Sequence, residues 1–515
     1  MRDMHDANAA RRWFIGLWLA LLLVKLLLAA RLPLFVDEAF YWQEGQHLAW
    51  AYSDLPGLTA WLARVGDSLA PGHVLALRLP FLLMGALLPW LLVWMSAREF
   101  GAPQRDARIG WWAGSLCLLL PLAGTLGLMA LPDVPLLLAS VLCLDAGLQL
   151  LRKVETWACA ELALGLMIGG LTHYRFAAVI AVGVVALLLL REGRHALREP
   201  KTWLAIAIGA LAWLPLLLWN WQHGDAGLRF QLVDRHPWAF SSDGWVLGAI
   251  QLLPATPLLL LAMGWVALRG LRTHHPAARY LALSGSAMVL GFLLLGFFAD
   301  RQRVSFHWPL PGFVALLPLV AVWLATARRG MQGAVLAVTA LGLLVALGFF
   351  AVAAMPAWRT QAAMRGMPLG NFAGWDVLAD AVRARQMQPP AGMRVVAGDF
   401  KISAELGYAL RDANIPVLAH PLNDKHGRAM QLSLWQLLQT SRHTLGQGPL
   451  LVVVSPSHAG FDGTQAYLRR LQAQLGPLPP AQILKVDAGA KQYWLFALPA
   501  QATPWLRHDE TGLPQ

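Results

Sequence analysis

Runs of roughly 18–25 mostly apolar residues recur through the first 355 positions of this chain, and each is long enough to cross a bilayer core as a helix. No other feature limits the fold so strongly. About eleven spans are expected, over 13–31, 74–97, 110–129, 134–151, 158–172, 176–191, 202–219, 245–268, 279–298, 309–327 and 331–354. Charged residues make up only 14% of the chain, against about 25% in a soluble domain. They cannot cover a water-facing surface of this size. The net charge of +12 does not point to nucleic acid, because Lys and Arg form no stripe. They sit in short loops, among them Arg98, Arg105 and Arg108, then Arg152 and Lys153, then Arg191, Arg194, Arg198 and Lys201. Alternate loops carry fewer, which predicts a cytoplasmic N-terminus and a C-terminal segment on the outer, periplasmic side.

Arg11 and Arg12 precede the first run as they would in a signal peptide, but no clear small-residue cleavage site follows. A retained first helix is expected. Cys117, Cys143 and Cys159 all lie inside apolar runs and read as small buried hydrophobes.

The expected domains are a transmembrane domain over 1–355 and a soluble α/β domain over 356–515. In the second, strand-like runs (394–398, 417–420, 450–455, 483–486, 493–498) alternate with helical ones (402–411, 464–475). Two amphipathic helices are expected at about 41–69, in the first outer loop. Tyr41, Gly45, Leu48 and Tyr52 share one helical face, and Leu58, Trp61, Leu62, Val65 and Leu69 share another.

Polar residues at the outer ends of spans are few, so each carries weight. Asp37 and Glu38 follow the first span. A carboxylate at a bilayer edge is costly unless hydrated or paired, yet both residues also suit a helix start. Asp133 lies in Leu-Pro-Asp-Val-Pro, again either a cap or a site residue. His173, Tyr174 and Arg175 form one tight corner, and Arg229, Arg235, Arg301, Arg303 and His307 lie in later outer segments. Arginine grips phosphate through its planar fork, but it also snorkels at interfaces. Together, carboxylates and outer cations suit transfer of a sugar from a lipid phosphate. A base takes the acceptor proton and positive charge meets the leaving phosphate. Attack from the opposite face inverts the anomeric carbon.

The segments Asp37-Glu38-Ala39-Phe40-Tyr41-Trp42 and His47 to Leu58, which includes Tyr52 and Asp54, resemble the first outer loop of family 39 glycosyltransferases. These are relatives of the dolichyl-phosphate-mannose protein mannosyltransferases and, more distantly, of the lipid A aminoarabinose transferases. Leu131 to Leu136, Trp219 to His223, Arg229-Phe230-Gln231, Arg235-His236 and His307 to Gly312 match in the same order, across most of 13–330. Lys401 to Leu406 and Lys425-His426-Gly427-Arg428 extend the resemblance weakly into the tail.

The resemblance implies a membrane-embedded GT-C fold, with Asp37 as base beside Glu38 and with Asp133 as a further acidic site residue. It implies outer basic residues that hold the carrier phosphate. The expected partners are a polyprenyl-phosphate-linked sugar, membrane lipid and an acceptor on lipopolysaccharide, envelope glycan or protein. No cofactor is required, although a divalent metal is compatible. Two departures stand out. Many relatives have Asp-His-Pro-Pro where this chain has Asp54-Leu55-Pro56-Gly57, and Lys-Tyr where it has His173-Tyr174. A transporter would need repeated halves, and no repeat is visible; a simple anchor would need only one or two spans. The tail's His420, Asp424, His426 and Arg428 offer a further candidate site, against which stands the simpler reading of a solvated loop.

Overall fold

The computed structural model describes residues 2–101, 106–235, 238–298, 306–390, 392–458 and 463–501. The chain divides into two compact units. The first holds Met1–Leu32 and His47–Ala351, the second Pro33–Gln46 and Val352–Gln515. In chain order the main helices up to the tail are α1 (Arg2–Arg31), α2 (Val36–Gln46), α3 (Leu58–Leu69), α4 (Val74–Ser96), α5 (Arg108–Leu119), α6 (Asp133–Arg152), α7 (Thr156–Thr172) and α8 (Phe176–Leu189). They continue as α9 (Pro200–Leu211), α10 (Leu214–Gln222), α11 (Gly244–Ile250), α12 (Pro257–Arg272), α13 (Pro276–Leu295), α14 (Leu310–Thr326) and α15 (Arg329–Ala354).

Each expected span coincides with one helix or a broken pair. Among the described residues, five helices are long and apolar enough to cross a membrane unaided: α1, α4, α6, α13 and α15. A sixth is α9 with α10, bent by 41°. Helices α7, α8 and α14 are apolar but shorter. The breaks fall at prolines, which lack the amide hydrogen and clash with the preceding turn. Pro121 follows α5, Pro215 opens α10, and Pro254 and Pro257 part α11 from α12. Leu19, Leu23 and Leu27 on α1 and Leu341, Leu344 and Val345 on α15 are exposed. Such apolar helix faces have no place in water and suit a lipid surround.

Buried polar groups fix the bundle. Arg78 is fully buried on α4 and donates to the carbonyls of Ala29 and Leu32, 2.8 Å each. It thereby caps the C-terminal carbonyls of α1 just before Pro33. On α3 the small face (Ala60, Ala63, Gly66) is buried, while Val65 and Leu69 are exposed. The bulky face expected from the sequence therefore points away from the bundle, as an interfacial helix requires.

The expected helix over 41–52 is corrected. The helix is α2, five residues earlier, and it belongs to the second unit. Helix geometry begins early because the Glu38 carboxylate reaches back to accept from the Phe35 amide at 2.9 Å, as in a capping box. Residues Glu38 to Gly45 are all buried, so α2 is a core helix and not an interfacial one.

Within the second unit α2 lies among α16 (Pro356–Met364), α17 (Trp375–Gln386), β1 (Arg394–Ala397), α18 (Phe400–Leu410), β2 (Val417–Leu418), α19 (Ala429–Leu434), β3 (Leu438–Gln439), β4 (Leu450–Val454), α20 (Gly463–Leu475), β5 (Gln482–Val486) and β6 (Lys491–Leu498). The six strands run in the order β3-β2-β1-β4-β6-β5. The first four are parallel, β6 is antiparallel to β4, and β5 is antiparallel to β6. Val396, Val452, Val454, Leu471 and Phe496 form part of the core beside the sheet. Helix α2 packs on α18 through Phe40 against Phe400, ring centroids 5.7 Å apart, and Trp42 against Tyr408, 5.5 Å. Gln43 donates to the Ala413 carbonyl at 2.9 Å.

Candidate active site

In the first unit, Asp133 opens α6, where its charge suits the helix N-terminus. Arg175 ends the corner before α8 and donates through Nη2 to Asp133 Oδ1 at 2.5 Å. His307 Nε2 lies 3.4 Å from the same oxygen. Both partners are mostly buried: the Arg175 side chain is 10% exposed and that of Asp133 19%. Two guanidinium groups approach the Trp308 indole, Arg175 at 5.3 Å and Arg235 at 5.0 Å from the ring. Arg235 donates to Gln231 Oε1 at 3.1 Å, and Gln231 Nε2 donates to the Asp54 carbonyl at 2.8 Å. His173 is buried, its Nδ1 accepting from the Arg175 amide at 3.1 Å.

Segments far apart in sequence thus meet, and the resulting cluster sets two guanidinium groups against one carboxylate. That excess of positive charge can hold a phosphate. Tyr174 supports the corner: its hydroxyl accepts from Asn220 Nδ2 at 2.9 Å, and Asn220 Oδ1 accepts from the amides of Gly227 and Leu228. Tyr52 is fully buried and binds the loop between α2 and α3 internally, to the His47 carbonyl and the Ala49 amide, 3.2 Å each. Asp54 contributes its carbonyl. Arg229 does not join the cluster; it is 70% exposed and pairs loosely with Asp234. Arg301 and Arg303 lie outside the described residues. Trp308, Gln231 and Asn220 emerge as site-builders that charge alone would not select, although each lies in a motif that carried the resemblance.

An apolar cavity of about 500 Å³ opens among the same helices. Val141 and Leu144 of α6, Leu166 of α7, Val179 of α8, Ile206 of α9 and Met288 of α13 line it. Val141 is eight residues along α6 from Asp133, a rise of about 12 Å. A charged cluster at the head of α6 and an apolar cavity two turns along it match the layout of a lipid phosphate.

In the second unit, Asp37 lies in the first turn of α2 with its side chain 33% exposed. Arg428 Nη2 donates to Asp37 Oδ1 at 2.8 Å. The Arg428 side chain is only 3% exposed, and its guanidinium lies 4.1 Å from the Phe40 ring and 4.4 Å from the Phe400 ring. Burial pushes the Asp37 carboxyl up, but Arg428, with His426 and Lys401, outweighs it and holds the group below the usual carboxylate range. His426 is itself pushed down to about 3 by burial and by Arg428. The solvated loop expected around His420, His426 and Arg428 is therefore corrected. His420 is also buried, its Nδ1 accepting from the Leu422 amide at 3.1 Å. Glu38 is fully buried and serves the start of α2. Among the described residues, no three His, Cys, Asp or Glu side chains converge as a metal site.

The family described as dolichyl-phosphate-mannose-protein mannosyltransferase has a sequence model that matches residues 54–219. The lipid A galacturonosyltransferase RgtD of Rhizobium johnstonii is 28% identical over 297 residues, which is 56% of this chain. The match spans 60% of that relative's length. Among solved structures, ArnT from Cupriavidus metallidurans in the apo state aligns with a TM-score of 0.67 at 15% identity, covering 95% of this chain and 98% of that one. ArnT bound to undecaprenyl phosphate aligns with a TM-score of 0.66, also at 15% identity, covering 94% and 98%. The chain has the GT-C fold of ArnT. In sequence it is similar to the protein mannosyltransferase and lipid A transferase group, so the resemblance read from the sequence motifs stands.

Proposed function

We propose that the protein is an inverting glycosyltransferase that moves a sugar from a polyprenyl-phosphate carrier to a hydroxyl acceptor, at the periplasmic face of a bacterial inner membrane. The observation that carries this reading is the pair of guanidinium groups, Arg175 and Arg235, gathered with His307 around Asp133 and Trp308 at the head of helices that also line an apolar cavity. The name of RgtD puts lipid A first among acceptors and a uronic acid among the sugars to try.

In this reading the acceptor oxygen attacks the anomeric carbon from the face opposite the phosphate. Asp37 accepts the hydroxyl proton as the new C–O bond forms. The bond from the anomeric carbon to the phosphate oxygen breaks, and its electron pair leaves with the polyprenyl phosphate. Arg175 and Arg235 meet that charge, so no proton need be delivered to the leaving group. Asp133 fixes Arg175 and limits the net charge. Arginine meets the phosphate charge without a metal, so transfer in excess EDTA is expected to match the untreated rate.

The test is to incubate the purified protein with undecaprenyl-phosphate-linked mannose, glucose, galactose, galacturonate and aminoarabinose. A lipid A-containing membrane extract would supply acceptors, and mass spectrometry would follow the carrier. Loss of one sugar from its carrier, with a matching mass gain in the acceptor, supports the reading. A donor moved between leaflets with its sugar still attached contradicts it. Arg175→Gln is expected to weaken donor use about tenfold or more, since a charged hydrogen bond contributes about 1.5–3 kcal/mol.

A further inference from the structure

A buried arginine is costly unless its charge is paired and its donors are used. Arg428 is buried in a frame of parts from across the second unit. Its amide donates to the Asn423 carbonyl at 2.8 Å. Asn423 in turn donates through Nδ2 to the Leu418 carbonyl at the end of β2, and accepts from the Phe400 amide at the start of α18, 3.0 Å each. The loop bearing Arg428 is therefore tied to the sheet and to α18. Two aromatic rings then fix the guanidinium, Phe40 from α2 and Phe400 from α18. Stacking of this kind holds a guanidinium by its face and leaves its edge to donate. That edge meets one carboxylate oxygen, Asp37 Oδ1.

We propose that Arg428 is a positioning residue for transfer: it acts through Asp37, fixing that carboxylate by Oδ1 and leaving Oδ2 to take the acceptor proton. The C-terminal unit then supplies part of the machinery of the base. This rests on Asp37 being the base.

The groups that face Asp37 agree with this role. Glu38 is its neighbour on α2, Lys401 comes from the first turn of α18, and His426 and Arg428 come from the loop before α19. Asp399 and Lys425 stand behind Lys401. His426 stays neutral at working pH, and burial lowers Lys401. Arg428 is the charge that hydrogen-bonds the carboxylate directly. A carboxylate held this way is a weak base, which suits a proton that leaves only as the hydroxyl oxygen bonds to carbon.

The experiment measures kcat and kcat/KM against pH for wild type, Asp37→Asn, Arg428→Gln and Arg428→Lys, with the undecaprenyl-phosphate sugar consumed in the donor panel. Thermal unfolding would be followed for each variant. In Arg428→Gln the acidic limb of the profile is expected to rise by about 1–3 pH units, because an opposite charge has been removed. Its kcat is expected to fall by about a hundredfold through lost orientation. Arg428→Lys keeps the charge but not the planar fork, so its acidic limb stays near that of wild type while its kcat falls. If Arg428→Gln does not fold, Arg428→Lys decides alone: kcat per folded molecule equal to wild type overturns the proposal. An acidic limb unmoved in folded Arg428→Gln also overturns it. Those outcomes differ from failure of the base itself, which would show as full transfer by Asp37→Asn.

Discussion

Asp399 shows how much a single charge can matter in the second unit. It is fully buried, caps α18 by accepting from the Lys401 and Ile402 amides, and accepts from His458 at 2.7 Å. Burial pushes its carboxyl up, but His458 outweighs that and holds it well below the usual range. Its pKa is depressed in the folded state, so its stabilisation is fully present above the unfolded value, about 3.9, and is lost as pH falls through the folded value. His458→Ala is expected to destabilise the protein by about 1.5–3 kcal/mol at pH 7, the scale for losing a hydrogen bond to a charged group. The difference from wild type should narrow as the pH falls to about 4 and below. Thermal unfolding of the purified protein across that range checks both. Equal stability at pH 7 would show that the pair contributes nothing. Residues of this kind were poorly legible in the sequence. Asp37 stood out because a carboxylate beside a span is rare, whereas Arg428 lay in a polar tail where basic residues are ordinary. The two are 391 positions apart, and no local pattern records such a contact.

At the scale of elements, legibility followed periodicity. The spans and most tail strands declared themselves because apolar runs and strand alternation are local properties. Helix α2 did not, because its apolar residues were read as a membrane-facing stripe when they pack on α18. The two-residue strands β2 and β3 are held by neighbours rather than by their own composition. The packing of α3 on α4 depends on the close approach allowed by Gly66. A Cβ there would lie 2.5 Å from the Ala76 carbonyl oxygen and 2.7 Å from that of Leu77. Gly66→Val is expected to cost about 1–3 kcal/mol through overpacking. Val65→Ala on the exposed face should cost much less. Comparing the two thermal transitions checks this, and an unperturbed Gly66→Val would place the α3–α4 contact elsewhere.

For the whole molecule, the arrangement of polarity in the first unit is what a lipid-linked substrate demands. Cations cluster at one end of α6 and α8, and an apolar cavity lies farther along them. Filling that cavity should discriminate by chain length. Val141→Trp is expected to raise the KM for an undecaprenyl-phosphate sugar several-fold, with little change for a carrier of two isoprene units. Kinetics with the two carriers measure it, and an equal effect on both would detach the cavity from the carrier's tail. This layout was only half visible beforehand. The basic residues could be named, but the cavity comes from six helices and has no signature in any one of them.

Whether Asp37 takes the acceptor proton is decided by single-turnover transfer with Asp37→Asn. With donor saturating and the variant shown to fold, its rate is expected to lie at least about a hundredfold below wild type, the lower bound for loss of a general base, with donor binding retained. Transfer at the wild-type rate would contradict it.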